Sequence, residues 1–229
     1  MSAELRETAL ARGDRRSSLV FYRTVRRLIR TILHPWLRVR AVNTANLDIE
    51  GPLILAPVHR SHLDSALIAT QSTRRIRALG KESLFTTPGV SWVCAALGAI
   101  PVKRGAADRD ALAAAKMLLD RGEAMIVFPE GGRKSGAEVT DLFDGAAWLS
   151  ARTGAPVLPI GVAGTEAALP EGGRRLRRSR VVITVGEPLP APTGPDGKRA
   201  SRKEIGALTE RLAVDLQQLQ HDAEALAAS

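Results

Sequence analysis

Short apolar runs bounded by proline, glycine or charge alternate with helix-periodic segments along most of this chain. Leu53-Ile54-Leu55-Ala56 lies between Pro52 and Pro57 and reads as a strand. Residues 62–70 read as a helix, 76–79 as a strand, 88–97 as a helix and 99–102 as extended chain. Residues 108–121 are rich in Ala and Leu, begin near Asp108 or Asp110 and stop at Gly122, which marks a helix. A buried-type strand follows at 124–128, then a helix at 142–152 closed by Gly154, strands at 157–162 and 181–185, and a last helix over 201–220. Strands separated by helices predict an α/β fold: one domain, with a mixed, mostly parallel sheet flanked by helices. The 229 residues suffice for one such core. There is no internal repeat, and the Pro/Gly-rich stretch 191–199 reads as a connection within the domain.

The N-terminal part differs from the rest. Residues 1–16 are polar and are expected to be flexible. Over residues 17–40, Phe21, Val25, Leu28, Ile29, Ile32, Leu33 and Trp36 recur at three- and four-residue steps and share a helix face. Arg23, Arg26, Arg27 and Arg30 fall elsewhere on the circumference, and Pro35 should bend or end the helix. An aromatic at each end of an apolar face, with arginines beside it, suits a helix lying in a lipid interface; the alternative is an amphipathic helix packed on its own domain. The domain proper is then expected over 41–229. Residues 1–40 hold ten arginines against Glu4, Glu7 and Asp14, so +7 of the net +9 sits there and +2 is left for the remainder. Charge concentrated at one end implies an attachment device for an anionic surface rather than a uniform nucleic-acid binder. Aromatic residues, at 3%, offer few platforms for stacking bases, so no nucleic-acid partner is expected.

Arginines interrupt the N-terminal apolar residues, so a secretory leader is not expected there. No stretch has the ~20 strongly apolar residues of a spanning helix. Residues 83–102 come nearest, but their prolines, glycines and hydroxyls suit buried loop, helix and strand, with a monotopic insertion as the alternative. The expected location is the cytoplasmic face of the cell membrane, peripheral or monotopic. Cys94 is the single cysteine, which excludes an intrachain disulfide and fits a reducing setting; its apolar surroundings suit an inert thiol.

His59-Arg60-Ser61-His62-Leu63-Asp64 follows the strand that ends at Pro57. Five residues of regular helix turn through about 500°, which would leave His59 and Asp64 about 140° apart. With His59 in the loop and Asp64 in the first helical turn, the carboxylate can fold back onto the imidazole, fix its tautomer and leave the other nitrogen basic. The competing reading makes Ser61 the N-cap and spends Asp64 on helix amides. A metal site from His59, His62 and Asp64 is a third reading, weakened because the other two histidines have no metal-like spacing.

Two further segments carry chemistry. Residues 98–105 form a strand ending in Lys103, Arg104 and Gly105, where an arginine suits bidentate phosphate binding and a solvated basic turn is the alternative. Val127-Phe128-Pro129-Glu130-Gly131-Gly132-Arg133-Lys134 brings a buried strand into a glycine pair between Glu130 and Arg133. Glycines let backbone N–H groups approach an anion or a developing oxyanion, and Arg133 and Lys134 add positive charge. The spacing is not that of a nucleotide-binding P-loop. Val157-Leu158-Pro159-Ile160-Gly161-Val162 reads as a core strand or as the wall of an acyl groove.

Taken in order, these segments resemble the glycerolipid acyltransferases typified by 1-acyl-glycerol-3-phosphate acyltransferase. His59 and Asp64 match the family's H-x4-D motif and Arg104 the arginine of its second motif. Phe128-Pro129-Glu130-Gly131 with Arg133 match the third, and residues 157–161 the fourth. Gly132 departs from the family's usual threonine. The resemblance implies transfer of an acyl group from acyl-CoA or acyl carrier protein to a lysophospholipid hydroxyl, with no metal or other cofactor. His59 would be the base and Asp64 its partner. Arg104 and Arg133 would hold the acceptor phosphate, with Glu130 ordering that site. Backbone amides of Gly131 and Gly132 would meet the oxyanion, and Lys103 and Lys134 would be accessory. The acceptor expected first is 1-acyl-glycerol-3-phosphate, giving phosphatidic acid. A glycolipid such as a mannosylated inositol lipid is the alternative acceptor, and a non-catalytic basic membrane- or nucleic-acid-binding protein the alternative class.

Overall fold

The computed structural model describes residues 2–102, 109–173 and 175–229. Its elements run α1 (Ser2–Gly13), α2 (Arg16–Leu28), a π-helical turn (Ile29–Leu33), α3 (His34–Trp36), β1 (Arg40–Val42), β2 (Leu53–Pro57), α4 (Asp64–Ala69), β3 (Ile76–Lys81), α5 (Pro88–Ala96), β4 (Ala99–Val102), α6 (Arg109–Asp120), β5 (Ala124–Ile126), α7 (Gly145–Thr153), β6 (Val157–Ala163), α8 (Thr165–Ala168), β7 (Val182–Val185) and α9 (Arg202–Ala228). The seven strands form one sheet in the order β1-β7-β6-β2-β5-β3-β4. All neighbours pair in parallel except β6 and β7, so the expected α/β fold with a mostly parallel sheet is what forms. Strands β2, β5, β6 and β7 are buried along their whole length, which is why they lack in–out alternation and read as continuous apolar runs.

Helix α9 starts in a capping box: Ser201 Oγ accepts from the Lys203 N–H, and Glu204 accepts the Ser201 N–H at 2.6 Å. It lies across β6 and β7 so closely that a Cβ on Gly161 would sit 2.4 Å from the Leu219 carbonyl oxygen. The Thr184 hydroxyl donates to that same carbonyl at 2.8 Å, and Gln220, itself buried, accepts the Val162 N–H at 3.0 Å. The helix runs on to Ala228, two turns beyond the expected end.

The N-terminal expectation needs correction. Residues 2–13 are a helix, not a flexible tail. Ala9 and Leu10 are buried, and α1 packs on α5 and β4. An ionic cluster fixes its end: Asp14 accepts from Arg77 at 2.6 Å and Arg121 at 2.9 Å, Arg77 also pairs with Glu123, and Arg75 donates to the Gly13 carbonyl at 2.8 Å. The polar composition concealed these partners because all of them lie 60 or more residues away. Of the helix expected over 17–40, α2, the π-helical turn and α3 form the part up to Trp36, and Arg40 already belongs to β1; its apolar residues divide between two sides. Tyr22 is buried, Val25, Ile29 and Leu33 are half-buried, and Leu28, Ile32 and Trp36 are exposed. Arg26 donates to the Ser72 and Thr73 carbonyls at 2.7 and 2.9 Å, pinning α2 to the end of the α4 segment. Pro35, which lacks an N–H, follows the π-helical turn, and the helix ends just beyond it. Among the described residues no helix is long and apolar enough to cross a membrane.

Candidate active site

Strands β2 and β5 lie side by side at the sheet centre, and each releases a loop at the same edge. The β2 loop carries His59 and leads into α4, whose first residue is Asp64. The Asp64 side chain is fully buried. Its Oδ2 lies 3.0 Å from His59 Nδ1 and accepts the N–H groups of Arg60 and Ser61, each at 2.7 Å. One oxygen thus holds the imidazole and the amides of the turn ahead of α4, rather than amides of the helix itself. An acceptor at Nδ1 places the proton there and leaves a lone pair on Nε2. Nε2 has no hydrogen-bond partner among the described residues. The Phe128 ring stacks on the imidazole, with centroids 3.7 Å apart and planes inclined by 19°, so ring and carboxylate together fix its orientation. Ser61 is not the N-cap residue of α4, a position that falls to Leu63; its hydroxyl donates to the Leu169 carbonyl at 2.8 Å and accepts the Leu63 N–H at 3.4 Å.

Glu130 departs from the expected role. It is 2% exposed and does not line the cavity in front of His59. Its carboxylate accepts the His59 N–H at 2.8 Å and both oxygens accept from Arg60 Nη1, at 2.9 and 2.8 Å. Arg60, 3% exposed, also donates from Nε to the Gly136 carbonyl at 2.7 Å and from Nη2 to the Glu138 carbonyl at 3.0 Å. Arg60 thus ties the β2 loop to the β5 loop, a role that reading the motif as His, four unspecified residues and Asp passes over. The one available signal was a second unexplained charge, Glu130, in the partner loop. The Lys134 N–H donates to the His59 carbonyl at 2.8 Å, so the backbone of Lys134 closes the same junction.

Gly131 has φ +69°, and a Cβ there would lie 2.7 Å from the Phe143 ring, so conformation and packing both require glycine. Its N–H donates to the Phe128 carbonyl at 3.1 Å, which corrects its expected use as an oxyanion donor. Gly132 is exposed, with open space around its Cα. Arg133 stands at the cavity wall. Its Nη1 lies within 3.0 Å of the His62 ring nitrogens, and its Nη2 donates to Glu171 Oε1 at 2.7 Å. Glu171, in the loop after α8, had not been recognised in the sequence. Arg133 holds its carboxyl below the usual range, first by the hydrogen bond and then by charge, with His62 and His59 adding to this. Lys103 and Arg104 lie outside the described residues; β4 ends one residue earlier, at Val102, on the cavity wall. The cavity, of about 680 Å³, is lined by His59, His62, Gly132, Arg133 and Glu171 among others. A second, apolar space of about 200 Å³ lies between α2, α4 and strands β3 to β5, and shares Ser65, Ala78 and Ile126 with the first.

A mostly parallel sheet thus delivers a carboxylate-held histidine and an arginine from loops after adjacent strands to one cavity. The family described as Acyltransferase matches residues 38–163, more than half of the chain, and the chain belongs to it. The chloroplastic 1-acyl-sn-glycerol-3-phosphate acyltransferase BAT2 of Brassica napus is 26% identical over 183 residues, 75% of this chain and 53% of that protein. The 1-acyl-sn-glycerol-3-phosphate acyltransferase of Bacillus subtilis is 24% identical over 190 residues, 82% of this chain and 91% of that one. The crystal structure of the 1-acyl-sn-glycerophosphate (LPA) acyltransferase PlsC from Thermotoga maritima superposes with a TM-score of 0.71 at 26% identity, covering 91% of this chain and 80% of that one. The chain spans about half the length of the chloroplastic relatives.

Proposed function

We propose that this protein moves a fatty acyl group from a thioester, acyl-CoA or acyl carrier protein, to the free hydroxyl of 1-acyl-glycerol-3-phosphate, giving phosphatidic acid. The observation that carries this reading is His59, held by Asp64 through Nδ1 with Nε2 unpartnered among the described residues, on the wall of a cavity that also contains Arg133. Nε2 takes the proton of the acceptor hydroxyl, and the alkoxide oxygen attacks the thioester carbonyl carbon. The C–S bond then breaks, and the leaving sulfur takes the proton back from the imidazolium. Asp64 stabilises that imidazolium, as in a serine hydrolase triad whose hydroxyl comes from substrate. The Gly132 N–H is the backbone donor assigned to the oxyanion. Arg133 binds the acceptor phosphate, and Arg104 keeps the second phosphate role that its motif implies. Apolar lining next to the base receives acyl methylenes.

The substrates require access to a bilayer. The exposed Leu28, Ile32 and Trp36 form an apolar stripe, and Phe21 joins α2 to α5 through a ring contact with Trp92 at 4.8 Å. Helix α5 itself exposes Val90, Trp92 and Val93. Beside the stripe, Arg178 lies over the Trp36 ring at 6.0 Å, within a loop whose Arg175, Arg177 and Arg180 are also exposed. Apolar and aromatic residues rimmed by arginine suit the anionic cytoplasmic face of a membrane.

The test is turnover with labelled acyl-CoA or acyl carrier protein against 1-acyl-glycerol-3-phosphate and a mannosylated inositol lipid, with products identified by mass. His59→Ala should lower kcat by about 10²- to 10⁴-fold with the fold intact. Near-normal turnover would remove His59 as the base, and a product from the glycolipid alone would move the acceptor.

A further inference from the structure

Arg133, assigned above to the acceptor's phosphate, already has an anion on it. Glu171 Oε1 accepts from its Nη2 at 2.7 Å, and both side chains line the catalytic cavity. We propose that Glu171 is an internal competitor for that phosphate: it occupies Arg133 while the cavity is empty and is displaced only by a phosphate dianion, which among acceptors a phosphomonoester brings. This rests on the reading of Arg133 as the phosphate ligand.

Three observations favour a displaceable competitor over a permanent support. The contact is incomplete, because one carboxylate oxygen meets one guanidinium nitrogen while Arg133 Nε is buried with no hydrogen-bond partner among the described residues. A phosphomonoester brings three acceptor oxygens and about −1.5 to −2 charge, against the single oxygen that Glu171 engages. Next, Arg133 has a second contact that Glu171 does not supply, its Nη1 lying within 3.0 Å of the His62 ring nitrogens. Finally, the Glu171 side chain is 66% exposed, so it can turn into solvent at little cost. It sits in a tight turn closed by the Gly173 N–H donating to the Pro170 carbonyl at 2.9 Å, with Gly172 at φ +73°. The backbone can therefore stay fixed while the side chain leaves. An acceptor without a phosphomonoester gains nothing on Arg133 that would offset the lost ion pair, so Glu171 acts as a specificity-determining residue.

The experiment titrates the purified full chain, wild type and Glu171→Gln, with inorganic phosphate by calorimetry. In parallel it measures KM for 1-acyl-glycerol-3-phosphate with one acyl-CoA. Glu171→Gln should bind phosphate about two- to fivefold more tightly, the range that exposed ion pairs span, and KM should fall by a similar factor. Adding Arg133→Gln should abolish the gain. Equal or weaker phosphate binding by Glu171→Gln overturns the proposal and makes Glu171 a support for Arg133. A gain that survives in the double variant also overturns it, because the anion then binds elsewhere. If Glu171→Gln gains phosphate affinity through Arg133 while neither form acylates 1-acyl-glycerol-3-phosphate, the competitor stands and the acceptor assignment fails.

Discussion

Groups of three kinds hold His59: a carboxylate at the start of α4 and an aromatic ring from the neighbouring strand's loop fix its imidazole, and a buried ion pair fixes its backbone N–H. The first was legible in the sequence, because loop-to-helix spacing allows Asp64 to fold back. The ion pair was not, because Arg60 and Glu130 are 70 positions apart and neither has a local signature of burial. The resemblance gave Glu130 an ordering role at the phosphate site, yet burial reserves it for Arg60. Removing one partner of a buried pair leaves the other charge uncompensated, at a cost of about 3–5 kcal/mol. Glu130→Ala should therefore lower unfolding free energy by that amount in urea denaturation. Near-wild-type stability with a raised KM would return Glu130 to the substrate.

Among the elements, the buried strands and α5 to α7 were readable from apolar runs and from glycine or proline punctuation. The three-residue β1 was too short to leave a pattern and exists because β7 offers it an edge. Helix α1 was missed because its partners, ionic and apolar alike, are non-local. Partial burial would raise the Asp14 pKa, but Arg77 and Arg121 outweigh it and hold the carboxyl below its ordinary value of 3.8. A group with a lower pKa folded than unfolded contributes its full stability above the unfolded value, and loses it as pH falls through the folded one. Hydrogen exchange of α1 should accordingly lose protection below about pH 4, ahead of β2. Asp14→Asn should weaken that protection already at pH 7. Equal protection in both proteins would mean that packing of Ala9 and Leu10 alone holds the helix.

For the whole molecule, the apolar stripe and the site belong to one rigid unit, since α2 is pinned to the core by Tyr22 and Arg26. Deleting residues 1–40 would remove core packing along with any membrane contact, so exposed residues make the cleaner test. Ile32→Ser with Trp36→Ser should reduce partitioning to phosphatidylglycerol vesicles by about tenfold or more, from the ~1.5–3 kcal/mol that each large apolar side chain contributes on burial. The melting temperature should barely change, and undiminished binding would shift the contact to α5. The position of β2 at the sheet centre matters during synthesis as well. Its neighbours β5 and β6 emerge about 70 and about 100 residues later, so at 5–20 residues per second a fully apolar strand waits roughly 5–20 s for both edges to be covered. Pro52 and Pro57 at its two ends withhold N–H donors over that interval. The residues that punctuate the strand thereby also guard the nascent chain against mispairing.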